Sequence, residues 1–192
     1  LNFDLDDPAT LLPSLATEWS QDGTTWTFKL RDGVTFHDGT AFDSADVKAS
    51  LDRMLELGRG QSYLVSGITA VEAPDPMTVT ITTETPNVFL AGNLARIEIA
   101  SDEDIANHDE AWFGENANGT GPYKFVEWTR GTQIELAKND DWWGDFPEGA
   151  FDRVLVRVVS DGQNRAQGVE GGTYDMANFV PLDDALRIVE RD

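Results

Sequence analysis

Residues able to do chemistry are few. His37 and His108 are the only histidines among 192 residues, and cysteine is absent. A catalytic zinc takes three protein ligands in a frame such as H-E-x-x-H, and neither histidine sits in one. His37 lies in Phe36-His37-Asp38-Gly39, where a ring capping a turn beside an aspartate is the expected role. A serine nucleophile needs a strained elbow of the G-x-S-x-G kind, which Ser66-Gly67 does not offer. Gly119-Thr120-Gly121 runs into Pro122 and a strand, not into a helix N-terminus, so it is a poor phosphate cradle. Asn139-Asp140-Asp141 and Ser101-Asp102-Glu103-Asp104 lack the alternating ligands of a calcium loop and read as solvated faces. Paired carboxylates for glycoside hydrolysis remain open because acids abound, yet no spacing singles out a pair. Trp142-Trp143 beside Gly144 could stack on a ligand, but consecutive residues of an extended segment point opposite ways, which suits half core and half rim. Asn118-Gly119-Thr120 is an acceptor pattern for N-glycosylation, short enough to occur by chance. No catalytic set, cofactor or metal site is expected.

Composition narrows the class. Lys plus Arg number 14 and Asp plus Glu 35, for a net charge of −21. That charge repels phosphate backbones and excludes a nucleic-acid partner. No apolar run approaches the ~18 residues of a spanning helix. Ten Phe, six Trp and three Tyr argue against a disordered acidic chain. Without cysteine there is no disulfide scaffold. An acidic surface poor in lysine suits a salty medium, and equally an acidic surface encoded by a GC-rich genome. The chain opens at Leu1 without a charged leader and reads as a mature or trimmed piece.

The elements that must position any site read as follows. Residues 15–19 and 25–30 flank Asp22-Gly23, with Trp26, Phe28 and Leu30 on one face, which predicts a hairpin. Residues 44–57 predict a helix capped by Asp43, striped by Val47, Leu51, Met54 and Leu55, and closed by Gly58. Residues 68–73 and 77–82 predict a second hairpin, and Pro86 a short helix running to Leu94. Residues 97–100 predict a strand and 101–110 a short acidic helix. After the loop 114–121, residues 122–128 and 132–138 predict a third hairpin. A strand at 152–159, a helix at 161–171, a short strand at 174–177 and a helix at 181–191 complete the reading. The fold class is α+β, with mixed, mostly antiparallel sheets and flanking helices.

Four ordered blocks carry a family likeness. Residues 15–40, from Leu15-Ala16-Thr17-Glu18-Trp19 through Phe36-His37-Asp38-Gly39-Thr40, with Phe42 and Asp46-Val47 beyond, form the first. Gly119-Thr120-Gly121-Pro122-Tyr123-Lys124-Phe125 with Glu127-Trp128 is the second. Asn139-Asp140-Asp141-Trp142-Trp143-Gly144 is the third, and Arg165 to Gly172 with Asp175 and Ala177 the fourth. Together they resemble family 5 of the extracellular solute-binding proteins, the peptide-, dipeptide- and nickel-type receptors of ABC importers. The likeness runs from about Leu12 to about Leu186. It departs at Ala41, where proline is usual, and at Gly168 and Gly171. Trp142 stands in a tyrosine place and Met176 in an isoleucine place.

The resemblance implies part of a periplasmic-binding-protein-like type II fold with two lobes. Residues 1–117 would form the small subdomain of the first lobe and 118–192 part of its main sheet. The second lobe, which in peptide receptors holds a peptide's amino terminus, would lie outside this sequence. The implied role is extracytoplasmic capture of a small solute or peptide, delivered to ABC permease subunits, without catalysis; a lipid anchor would lie outside the sequence. Ligand-binding candidates implied by the resemblance are Asn178 and Phe179, in the loop that faces the family's cleft, and Asn93 near the end of the Pro86 helix. The alternatives are a secreted carbohydrate-active hydrolase and a non-binding structural or signalling module.

Overall fold

The structure is a computed structural model describing residues 1–190. The chain forms two compact units: Leu1–Phe125 with Ala137–Asp152, and Val126–Leu136 with the described residues from Arg153 onward. The loop 114–121 lies inside the first unit.

The first unit is built on alternation. After a two-stranded ribbon, β1 (Asn2–Phe3) and β2 (Leu11–Leu12), come β3 (Ala16–Asp22) and β4 (Thr25–Leu30), joined by Gly23 at φ 59°. β5 (Ile68–Asp75) and β6 (Thr78–Thr83) form the second predicted hairpin, and the four strands pair in the order β3-β4-β6-β5, all antiparallel. Period two puts Trp26, Phe28 and Leu30 of β4 beside Val79 and Ile81 of β6 in one buried cluster. Each such side chain removed from water contributes roughly 1.5–3 kcal/mol. The Trp26 ring stacks on Phe28 with centroids 5.8 Å apart, and its indole N–H donates to the Asn87 carbonyl.

Helix α1 (Ser44–Leu57) covers this sheet through Leu51, Val47 and Met54. Its N-terminus is a reciprocal cap: Asp43 accepts from the Ala45 N–H, and Asp46 accepts from the Asp43 N–H. Gly58 ends the helix at φ 57°. Leu55, expected in the apolar stripe, is exposed instead; at its turn of the helix Met54 takes the inward position. A 3-10 turn (Gly60–Val65) leads into β5.

Three predicted elements differ. Residues 97–100 are not a strand: Ser50 of α1 donates its hydroxyl to the Ala100 carbonyl and accepts the Ala100 N–H, so a side chain takes the place of a neighbouring strand. Pro86 does not open a helix; Asn87 Oδ1 accepts the Phe89 N–H in a turn, and α2 (Leu90–Leu94) starts after it. The acidic stretch splits into α3 (Asp102–Asn107) and α4 (Glu110–Phe113), the second capped by the Asp109 carboxylate.

β7 (Tyr123–Thr129) and β8 (Gln133–Lys138) are joined through Gly131 at φ 72°, and each unit holds part of this hairpin. β9 (Arg153–Arg157) completes the sheet in the order β7-β8-β9. In the second unit, α5 (Gly162–Glu170) is capped by Asp161, and α6 (Leu182–Val189) opens on Asp183 and Asp184. The predicted helix end at Arg191 lies outside the described residues. The strand expected at 174–177 is absent: the Thr173 and Tyr174 N–H groups donate to the Gly168 carbonyl, turning the chain back onto α5.

Candidate functional site

The four sequence blocks build structure first. His37 and Asp38 fasten the 36–40 turn to the 118–121 loop. The Gly119 N–H donates to His37 Nδ1 at 3.3 Å, so Nε2 carries the proton and donates to the Gly121 carbonyl at 3.0 Å. Asp38 accepts from the Thr40 N–H and hydroxyl and from the Asn118 amide. Partial burial pushes the Asp38 carboxyl up, and these hydrogen bonds outweigh it, holding the group below its ordinary value. The Asn118 amide also donates to Asp104, so the acceptor nitrogen of the glycosylation pattern is already engaged. The expected turn cap at His37 is thus a bond between distant segments.

Asn139, read in sequence as part of an acidic face, is 2% exposed. Its amide donates to the Gly121 carbonyl, its Oδ1 accepts the Asp141 N–H, and its backbone bonds Pro122 and Trp142. Trp143 donates to the Thr120 carbonyl and lies under the Arg31 guanidinium at 4.6 Å. Trp142 packs on Phe146 at 5.0 Å, and a Cβ at Gly144 would fall 2.6 Å from its ring. The paired tryptophans are therefore structural. Among the described residues, no cluster of three or more His, Cys, Asp or Glu is placed to hold a metal ion, and no helix is long and apolar enough to cross a membrane.

A cavity of about 480 Å³ lies in the first unit against the core side chains Phe28, Leu30, Phe42, Leu51, Val79 and Ile81. His37 reaches its edge, but both ring nitrogens are already bonded. None of the three predicted ligand residues lines it.

Asn93 belongs to α2 in the first unit, where its amide donates to the Leu64 carbonyl at 3.0 Å. Asn178 and Phe179 are neighbours in the loop between α5 and α6 of the second unit, and both are exposed. Phe179 is 91% exposed and stands at φ 57°, the single non-glycine residue with positive φ among the described residues. A left-handed phenylalanine is uncommon and needs local support. That support comes from Arg165 on α5, which donates to the Phe179 carbonyl at 2.8 Å and to the carbonyls of Val159 and Ser160. Beyond the arginine's place in the fourth block, no residue pattern signals this contact.

Comparison with known proteins places these features. The profile of bacterial extracellular solute-binding proteins, family 5 (Middle), matches residues 10–192. The probable D,D-dipeptide-binding periplasmic protein DdpA of Escherichia coli K12 is 31% identical over 88% of this chain and 34% of its own length. The glutathione-binding protein GsiB of Pectobacterium atrosepticum is 34% identical over 99% of this chain and 38% of its own. The structure of AgaA from A. tumefaciens R10, in complex with agropinic acid, superposes with a TM-score of 0.86 at 35% identity, covering 98% of this chain and 39% of that one. The chain thus spans well under half the length of these relatives. The antiparallel hairpins, the four ordered blocks and the profile match agree: the chain belongs to family 5 of the bacterial extracellular solute-binding proteins.

Proposed function

We propose that the protein captures a peptide-type solute outside the cytoplasmic membrane and hands it to the permease of an ABC importer. Within this chain, Asn178 hydrogen-bonds the ligand's main chain and Phe179 packs against its body. The observation that carries the reading is the Phe179 ring, held out to solvent in a conformation the local backbone would not choose by itself. A backbone already fixed where an exposed aromatic side chain departs lowers the ordering cost at the moment of binding. The similarity to a dipeptide binder and a glutathione binder supports a peptide-type ligand. Apolar side chains left open on the second unit, including Val158, Leu182, Leu186 and Val189, fit a surface that works against further protein or ligand.

The test is a titration of the full chain followed by tryptophan fluorescence, using L-alanyl-L-alanine, D-alanyl-D-alanine, glutathione and agropinic acid. A saturable change with one of the three peptides, weakened about tenfold or more by F179A, is expected. A flat response to all three peptides, or saturation by agropinic acid alone, overturns the peptide reading.

A further inference from the structure

The loop that carries Phe179 is not simply the connection between two helices. Residues 171–181 lie back along α5, and three residues of that helix, spaced by three, receive them. Gly162 meets Pro181: a Cβ there would sit 3.1 Å from the proline ring carbons. Arg165 meets Phe179 through its carbonyl. Gly168 meets Tyr174, whose ring occupies the space a Cβ would need, while the Gly168 carbonyl accepts the Thr173 and Tyr174 N–H groups. Residues three apart share one helix face, so this stripe forms a bed for the loop. Two glycines let the backbone come close, and the arginine between them supplies the donors.

Arg165 is half-buried and is spent on main chain. Nη1 donates to Val159 at 2.5 Å and Ser160 at 3.1 Å, and Nη2 donates to Phe179 at 2.8 Å. Its Nε is buried with no hydrogen-bond partner among the described residues. A guanidinium that ties the segment before α5 to the loop after it, while leaving one donor unmet, is costly as mere packing. It does fix the one position, among the described residues, where the backbone is left-handed without glycine.

We propose that Arg165 is a positioning residue for ligand capture: from the Gly162–Arg165–Gly168 face it holds residues 171–181 so that Phe179 stands preformed toward the ligand. The inference rests on the peptide-capture reading above and adds the part that fixes the backbone from which its aromatic contact departs. Arg165 acts through the Phe179 backbone and does not itself touch ligand. Removing it lets the 179 backbone relax toward ordinary φ, which swings the ring away from its bound position and restores the ordering cost that the clamp had removed.

The test uses the full chain, with glutathione and D-alanyl-D-alanine as probes and R165A, R165K, F179A and R165A/F179A as variants. Two readouts are taken, probe affinity and amide hydrogen exchange over residues 173–181. R165A is expected to speed exchange in that segment at least tenfold and to weaken probe binding about tenfold. In the F179A background, R165A is expected to weaken binding clearly less than in wild type, because the ring it positions is gone and only the Asn178 contact is left to misplace. R165K, with a single point donor for three carbonyls, is expected to fall between wild type and R165A, and it serves alone if R165A fails to fold. Equal weakening by R165A in both backgrounds marks general damage and overturns the proposal. So does unchanged exchange in R165A, or faster exchange with unaltered affinity. If wild type binds neither probe while R165A still speeds exchange, the capture reading fails for these peptides, and Arg165 is left as a structural clamp only.

Discussion

His37 and Asn139 donate to the same carbonyl oxygen, that of Gly121, at 3.0 and 3.1 Å. One arrives from the turn after β4 and the other from the end of β8, so a single backbone group gathers three of the four sequence blocks that mark the family. Among the described residues the 119–121 segment pairs with no strand, so these side chains do the work a sheet neighbour would otherwise do.

Removing either donor should therefore cost more than one exposed hydrogen bond. N139A removes one of the two donors to the half-buried Gly121 carbonyl and the side-chain acceptor of the Asp141 N–H, and a loss of about 1–3 kcal/mol is expected. H37A should cost a similar amount. Because the two share an acceptor, the double variant should lose less or more than the sum by at least about 0.5 kcal/mol. Urea unfolding of the four proteins checks this, and strict additivity would show that the shared carbonyl does not couple them.

Asp46 supplies a pH dependence with a definite sign. It is 3% exposed, and burial, reinforced by the nearby carboxylates of Asp102 and Asp43, pushes its carboxyl up to about 6 against the hydrogen bonds from the Asp43 and Asp102 N–H groups. The folded state thus holds this proton more tightly than the unfolded chain. Its contribution is fully present below about pH 4 and is lost as pH rises through 6, on the order of 3 kcal/mol in total. D46N cannot titrate, so the stability of wild type relative to D46N should decline between pH 4 and pH 7. Urea midpoints at both pH values measure it, and a constant difference would contradict the assignment.

The net charge of −21 is spread over a chain with few compensating cations. The ion pairs present, such as Lys48–Asp52 and Arg187–Glu170, are surface contacts of small individual value. Self-repulsion dominates, and salt screens it, the Debye length shortening from about 10 Å at 0.1 M to about 3 Å at 1 M. The melting temperature should rise by several degrees over that range of NaCl, and should rise with KCl in the same way. A flat or falling curve would show that the acidic surface does not govern stability.

Gly144 offers a test of packing. G144A would drive a methyl into the Trp142 ring from 2.6 Å, and a loss of about 1–3 kcal/mol is expected. G131A should also destabilise, through its φ of 72°, with no ring to displace. Thermal melts of both variants separate crowding from backbone strain: restored stability in G144A/W142A marks crowding, and its absence would contradict it.

The hairpins and α1 were legible in the sequence because their signals are local: alternation in 25–30, Asp22-Gly23 at a turn, and Asp43 with Asp46 three residues on. The misreadings share a different cause. Residues 97–100 look like a strand by composition, yet Ser50 supplies the hydrogen bonds that a neighbouring strand would have given. Residues 174–177 look the same, yet the Gly168 carbonyl takes the Thr173 and Tyr174 N–H groups and turns the chain back at the start of that segment. Leu55 and Met54 are adjacent, and only the sheet beneath α1 decides which of them turns inward. Asn139 is as polar in sequence as Asp140, and its burial comes from a partner far away along the chain. For the candidate site, the resemblance pointed to Asn178 and Phe179, while the left-handed backbone and the Arg165 clamp that distinguish Phe179 are properties of φ angles and distant carbonyls. No residue pattern encodes them directly.

The proposed function requires that a peptide be held without being altered. Equilibrium dialysis of the full chain against D-alanyl-D-alanine, L-alanyl-L-alanine and glutathione, with mass spectrometry of the solute recovered afterwards, tests it most directly. Retention of at least one of these peptides at one molecule per chain, with its mass unchanged after prolonged incubation, is expected. Release of cleaved fragments, or passage of all three peptides with no retention, would contradict it.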